Sequence, residues 1–177
     1  MIFKELKIKG CYEIELEINS DDRGSFSRIY CYDEFKKKNI DFEINQINFS
    51  YSKDKGQIRG LHFYSHPNEE YKMVKCIKGE IFDVVVDLRK NSPTYLQYES
   101  LILNECNNKY ILIPHFCAHG FQTLTENVEM IYFHSKKYLT EFDKGVLYND
   151  KKINIKWPLH AVGISPKDLN LPNSIKL

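Results

Sequence analysis

Apolar and polar positions alternate with a period of two through most of this chain. Over residues 11–18 acidic and apolar residues alternate, which predicts a half-exposed strand with Tyr12, Ile14, Leu16 and Ile18 on one face. A turn over residues 19–24 ends it, and residues 25–30 read as extended again. Residues 44–51 also alternate, with Gln46, Asn48 and Ser50 opposite Ile47 and Phe49. A polar face on a strand is ordinarily its solvent face. Residues 81–88 are β-branched and apolar except for their aspartates, which predicts a central strand after a turn at 78–80. Further strands are predicted over 98–103, 109–114 and 128–138, the last placing Met130, Tyr132 and His134 on one face. The one helix the first half supports spans residues 33–39, capped by Asp33 and stopped at Asn39.

Many short strands separated by turns, with almost no helix, predict an all-β fold, a sandwich or barrel. Among these the double-sheet jelly roll of the cupin type, with a few short helices, fits best. At 177 residues the chain is expected to form a single domain over 1–177. Lysine and arginine total 25 against 24 acidic residues, so no overall field favours nucleic acid or an anionic membrane. Five scattered cysteines without a Cys-x-x-Cys pair argue against a disulfide framework or a structural zinc site, and suit reduced thiols of a cytoplasmic protein. Charges interrupt the apolar residues of the N-terminus, and no stretch reaches the roughly 20 apolar residues of a spanning helix.

The chemistry concentrates in Ile58-Arg59-Gly60-Leu61-His62 and in Lys72, which the pattern places in one hairpin. A histidine, an arginine and a lysine meeting in a pocket suit acid–base chemistry on an anionic substrate, although a strand histidine taken alone reads equally as an ordinary half-buried residue. A catalytic metal is not expected. Metal cupins usually offer His-x-His on one strand, whereas His62 and His66 are four apart, about 13 Å along a strand.

Several segments together resemble one family. They are Asp22-Arg23-Gly24-Ser25-Phe26, Gln46-Ile47-Asn48, Arg59-Gly60-Leu61-His62, Lys72-Met73-Val74, the run from Asp83 to Arg89, the run from Pro114 to Phe121, and Ile155-Lys156-Trp157-Pro158. Their order resembles the dTDP-4-dehydrorhamnose 3,5-epimerase family from about Gly10 to Pro172. The resemblance implies a metal-free jelly roll that needs no cofactor and acts on a nucleotide-diphospho-4-keto-6-deoxy sugar. It also implies a homodimer, with room for an N-terminal arm exchanged between subunits, and a place in activated-sugar biosynthesis for surface polysaccharide. Carried over by position, it makes His62 the base, Asp168 the carboxylate that orients it, Tyr132 the acid and Lys72 the cation facing the keto oxygen. Arg59 and His119 match pocket residues, while Arg23, Gln46 and Asn48 match nucleotide or phosphate contacts; Phe26, two residues before Arg28, projects to the same side of an extended chain, where its ring could stack on the base. Asp143 matches an acidic residue on the substrate side.

Two positions depart from the family pattern. Arg28 stands where a glutamate is usual in the nucleotide pocket, and Lys167 where an arginine is usual beside the catalytic aspartate. Arginine only donates hydrogen bonds where an ionised glutamate only accepts, so Arg28 predicts a nucleotide other than dTDP, with GDP the first expectation.

The same set follows from the reaction. Inverting a carbon beside a ketone needs a base, an acid across from it and a donor for the enolate oxygen. His62, Tyr132 and Lys72 supply the three. Inversion at C3, at C5 or at both stays open, as do a 3,4-ketoisomerase of the same fold and a non-catalytic sugar-nucleotide-binding cupin.

Overall fold

The computed structural model describes residues 1–65, 67 and 69–174. In chain order its elements begin with β1 (Ile2–Glu5), β2 (Tyr12–Glu15), β3 (Ile18–Asp21), β4 (Gly24–Ser27), α1 (Tyr32–Lys36), β5 (Gln46–Ser52) and β6 (Ile58–Tyr64). There follow β7 (Lys72–Lys78), β8 (Glu80–Asp87), β9 (Tyr98–Asn104), β10 (Lys109–Ile113), β11 (Cys117–Thr123), β12 (Val128–His134), β13 (Asp143–Gly145) and α2 (Pro166–Leu169). One antiparallel sheet runs β1-β2-β10-β7-β12-β5 and a second runs β13-β6-β11-β8-β9, while β3 and β4 form a separate hairpin.

Period-two patterning divides each strand between two environments. Val74, Cys76, Ile81, Val85, Phe121 and Met130 fill the space between the sheets. On β8 the alternate residues Val84 and Val86 turn outward, where Leu61, Val146 and Ile153 from β6 and the C-terminal segment cover them. On the outer face of the six-stranded sheet, Met73, Tyr110 and Phe133 lie under Phe35 of α1 and Phe42. Burying an aliphatic or aromatic side chain of this size contributes roughly 1.5–3 kcal/mol. The all-β jelly roll with short helices is therefore the observed architecture.

Local expectations are corrected in four places. The strand expected over residues 11–18 breaks after Glu15: Leu16 turns its amide to Asn108 O at 3.1 Å, and Ile18, 45% exposed, starts β3. Asn19, Ser20 and Asp21 belong to that strand, so the turn shrinks to Asp22 and Arg23. The helix cap is Cys31, not Asp33, and it caps with no side-chain bond; Asp33 and Glu34 instead occupy the first turn, where negative charge suits the helix dipole. Finally, β6 and β7 are not a hairpin. Both edges of β6 are taken by β13 and β11, and both edges of β7 by β10 and β12, so Arg59 and His62 sit in one sheet and Lys72 in the other.

Candidate active site

That separation makes the site. A cavity of about 710 Å³ opens between the sheets, with β6, β11 and α2 on one side and β5, β7 and β12 on the other. Gln46, Asn48 and Ser50 line it, with Asn48 turned to His134 and Ser50 to Tyr132; Ile47 and Phe49 also border it at 55% and 60% exposure, and Tyr51 is 46% exposed. The polar face of β5 is thus the inner one, opposite to the ordinary expectation for such a strand, because the space it faces is a cavity lined by charged and polar side chains.

On the β6 side, Asp168 Oδ1 lies 2.8 Å from His62 Nε2, and Asp168 Oδ2 accepts from Gly60 N at 3.2 Å. The short helix α2 delivers this carboxylate; Pro166 opens it and Ser165 caps it, its hydroxyl accepting from Asp168 N at 3.1 Å. Burial pushes the Asp168 carboxyl up, but the bond and charge of His62 and the Gly60 amide outweigh this and hold it below its ordinary value. Asp168 is therefore ionised near neutral pH. Its bond takes His62 Nε2–H and leaves Nδ1 free to accept a proton. Gly60 is required where β6 passes over β11. It sits at φ +121°, and a Cβ there would come within 2.7 Å of His119 O and Gly120 Cα.

Behind His62, His119 Nε2 bonds Asp83 Oδ2 at 2.8 Å, with both residues buried. Arg59 is held by β5, the edge strand of the facing sheet. Its Nε donates to Ser52 Oγ at 2.9 Å and its Nη2 to Tyr51 O at 2.8 Å. At the rim Asp143 accepts from Tyr138 Oη at 2.9 Å and from Lys167 Nζ at 2.7 Å. Burial raises the Asp143 carboxyl, yet these two donors and the Lys167 charge bring it below its ordinary value.

On the facing sheet, Tyr132 Oη shares a 2.9 Å hydrogen bond with Ser50 Oγ. Burial pushes the phenol up to about 12, with the Ser50 bond and the Arg59 charge working against it, so Tyr132 keeps its proton at any physiological pH. Lys72 and His134 flank Glu70, whose Oε1 lies 2.8 Å from His134 Nδ1 and whose Oε2 lies 3.9 Å from Lys72 Nζ.

Ten of the thirteen residues expected at the site converge on this cavity: His62, Tyr132, Asp168, Lys72, Gln46, Asn48, Arg59, His119, Asp143 and Lys167. Arg23, Phe26 and Arg28 stand apart from it. Arg23 folds back on Asp21, with Nη2 to Oδ2 at 2.6 Å; Phe26 is 72% exposed; and Arg28 Nη1 bonds Glu34 Oε1 at 2.9 Å. Glu70, Asp83 and His134 are site residues that the sequence reading did not assign. The alternation of β12 had put His134 on the face of Tyr132, but Glu70 lies in the β6–β7 connection, where no periodicity marks it. His66 lies outside the described residues. Among the described residues no three His, Cys, Asp or Glu side chains converge as metal ligands, and no helix is long and apolar enough to cross a membrane.

A base oriented by a carboxylate on one sheet, and a protonated phenol and an ammonium on the other, can take a proton from one side of a bound molecule and return one from the other. Comparison with known proteins points the same way. The family model for dTDP-4-dehydrorhamnose 3,5-epimerase matches residues 5–175. A dTDP-4-dehydrorhamnose 3,5-epimerase of Methanothermobacter thermautotrophicus is 37% identical over 95% of this chain and 91% of its own. A dTDP-4-dehydrorhamnose 3-epimerase of Streptomyces niveus is 34% identical over 95% of this chain and 81% of its own. The crystal structure of the 3,5-epimerase of Bacillus anthracis, with TDP and PPi bound, superposes with a TM-score of 0.93 at 37% identity, covering 97% of this chain and 98% of that one. With the match running through nearly every element that builds the cavity, this chain belongs to the dTDP-4-dehydrorhamnose 3,5-epimerase family.

Proposed function

We propose that the protein is an epimerase of a dTDP-linked 4-keto-6-deoxy sugar, acting at a carbon beside the ketone through an enolate. The observation that carries this reading is the placement of His62 with Asp168 on one sheet and Tyr132 on the other, around a single cavity. His62 Nδ1 takes the proton from C3 or C5, and the electron pair of the broken C–H bond moves into the enolate. Lys72 faces the oxygen on which negative charge develops; removing such a donor typically costs about 100- to 1,000-fold in rate. Carbon is then reprotonated from the opposite side by Tyr132 Oη–H. The imidazolium and the phenolate return to their starting states by exchange with water, so the reaction is redox-neutral and consumes nothing. No step in this sequence calls for a metal or a cofactor.

The nucleotide is read as dTDP because Arg28, which pointed to another base, is engaged by Glu34 on the protein's own surface. Inversion at C3 alone remains a reading of the same site, favoured by the likeness to the Streptomyces niveus 3-epimerase.

The protein acts as a cytoplasmic homodimer in activated-sugar synthesis on this reading. Two features support a dimer. The edge strand β5 leaves Ile47, Phe49 and Tyr51 exposed, and the β3–β4 hairpin holds Arg23 and Phe26 away from its own cavity. A second subunit that receives the hairpin gains the cationic and aromatic groups a nucleotide diphosphate needs.

Incubating the protein in D₂O with dTDP- and GDP-linked 4-keto-6-deoxy sugars tests the reading. Deuterium at C3 or C5 with inversion of the dTDP-sugar is the expected result; a product whose ketone has moved to C3 identifies a ketoisomerase instead.

A further inference from the structure

Three histidine–carboxylate pairs bring a histidine to the cavity among the described residues, and the mechanism above uses only His62–Asp168, with His119–Asp83 packed behind it. The third, His134–Glu70, is 14% and 6% exposed at its side chains and stands beside Lys72 and Tyr132. Two ionisable side chains in a cavity wall need a reason, since a hydrophobic pair would fill the space at lower desolvation cost.

The hydrogen bonds supply one. β12 lies between β5 and β7, so that His134 is register partner to both Gln46 and Lys72. Tyr138 N, which can only donate, gives its proton to Gln46 Oε1 at 2.8 Å. Gln46 Nε2 then donates to Asn48 Oδ1 at 2.9 Å, and Asn48 Nδ2 turns to His134 Nε2 at 3.3 Å. Nε2 accepts, so the ring proton is on Nδ1, which donates to Glu70 Oε1 at 2.8 Å. A backbone N–H at one end and a carboxylate at the other fix the direction of every bond between them. Each amide nitrogen keeps one N–H unused for a ligand, and Glu70 Oε2 stands 3.9 Å from the Lys72 ammonium.

We infer that Glu70 is a positioning residue which, through Lys72 and through His134, holds the β5–β12–β7 wall as an array of hydrogen-bond donors for the oxygen atoms of the bound sugar nucleotide. The part that acts through Lys72 rests on the proposed epimerase reaction. The part that acts through His134 rests on the hydrogen-bond chain alone.

Glu70→Gln separates these parts. The carboxamide oxygen still accepts from His134 Nδ1–H while the charge beside Lys72 is gone, so kcat falls about 10- to 100-fold and KM stays within about threefold. In a Lys72→Met background the same change has no further effect on kcat. His134→Phe keeps a ring against Tyr132, to which His134 is stacked at 6.3 Å, but cuts the chain; KM and the dissociation constant of dTDP rise about 5- to 30-fold. A purely structural pair would instead lower thermal stability in all variants, with kcat and KM preserved in the folded fraction, and that outcome overturns the inference. Imidazole ¹⁵N NMR of the unaltered protein decides independently of catalysis and of variant folding: His134 shows a protonated Nδ1 and a bare Nε2, and the opposite tautomer overturns the inference. Failure of the epimerase reading is distinguishable, because it shows as absence of deuterium exchange in the unaltered protein.

Discussion

His62 and Asp168, 106 positions apart in the chain, meet at 2.8 Å between Nε2 and Oδ1. The contact joins a strand in the middle of the sequence to a four-residue helix near its end, and the C-terminal segment is anchored to keep it. Leu147 N donates to Pro172 O at 2.9 Å, and Asp150 accepts from the amide and hydroxyl of Ser174 at 2.6 and 3.0 Å. The carboxylate therefore fixes the tautomer of His62 and, on the proposed mechanism, supports the imidazolium formed by proton abstraction.

Asp168→Asn tests that role. The amide keeps the shape but removes the charge that stabilises the imidazolium, and the rate of solvent exchange at the substrate falls about 100- to 10,000-fold. Binding of dTDP changes little, as measured by calorimetry. Exchange at the unaltered rate would remove Asp168 from the mechanism.

Tyr132 carries a different expectation. Its phenol is pushed up to about 12 by burial, so the acid form persists through the alkaline range and contributes no falling limb to the kcat profile below about pH 10. Tyr132→Phe slows inversion more than it slows deuterium uptake, since His62 still abstracts. Equal loss of both would mean that the phenol acts before or during abstraction.

Asp87 contributes to acid stability. Its side chain is fully buried; burial raises the carboxyl, but Arg89, Ser92 and Thr94 donate to it and bring it down to about 2. A folded-state value below the unfolded one stabilises the fold at pH values above the ordinary 3.8, and this contribution is lost as pH falls towards 2. A depression of about two units corresponds to about 2–3 kcal/mol. The stability difference between the natural protein and Asp87→Asn, from urea unfolding, shrinks between about pH 5 and pH 2. A difference independent of pH would place the effect in packing.

The fold was legible because period-two patterning is a local property: strands such as 98–103 and 109–114 reappear as β9 and β10 within one residue at each end. Which strands pair is not local. Arg59, His62 and Lys72 looked like one hairpin because β6 and β7 are neighbours in sequence, yet each has both edges satisfied by distant strands. For the same reason the inner face of β5 was hidden: alternation separates two faces without saying which one meets the cavity. Glu70 was invisible on another ground, since a connection between sheets has no period, and its contact with His134 spans 64 positions.

The last prediction concerns the hairpin. Arg23 and Phe26 are exposed on β3–β4 and its turn, outside the cavity that His62 lines. If the hairpin serves the site of a second subunit, each working site draws His62 from one chain and Phe26 from the other. His62→Asn and Phe26→Ala homodimers are then both impaired, the second mainly in KM because stacking of an aromatic ring on the base is worth roughly 1–3 kcal/mol. A mixed dimer of the two variants has one site with neither lesion and one with both. Mixing the two proteins under conditions that exchange subunits should therefore restore up to about half the natural activity per heterodimer. If the hairpin instead serves its own subunit, the heterodimer has one site of each defective kind and mixing restores nothing. Native mass spectrometry of the mixture confirms exchange, so a lack of recovery from heterodimers present in solution rules out the shared site.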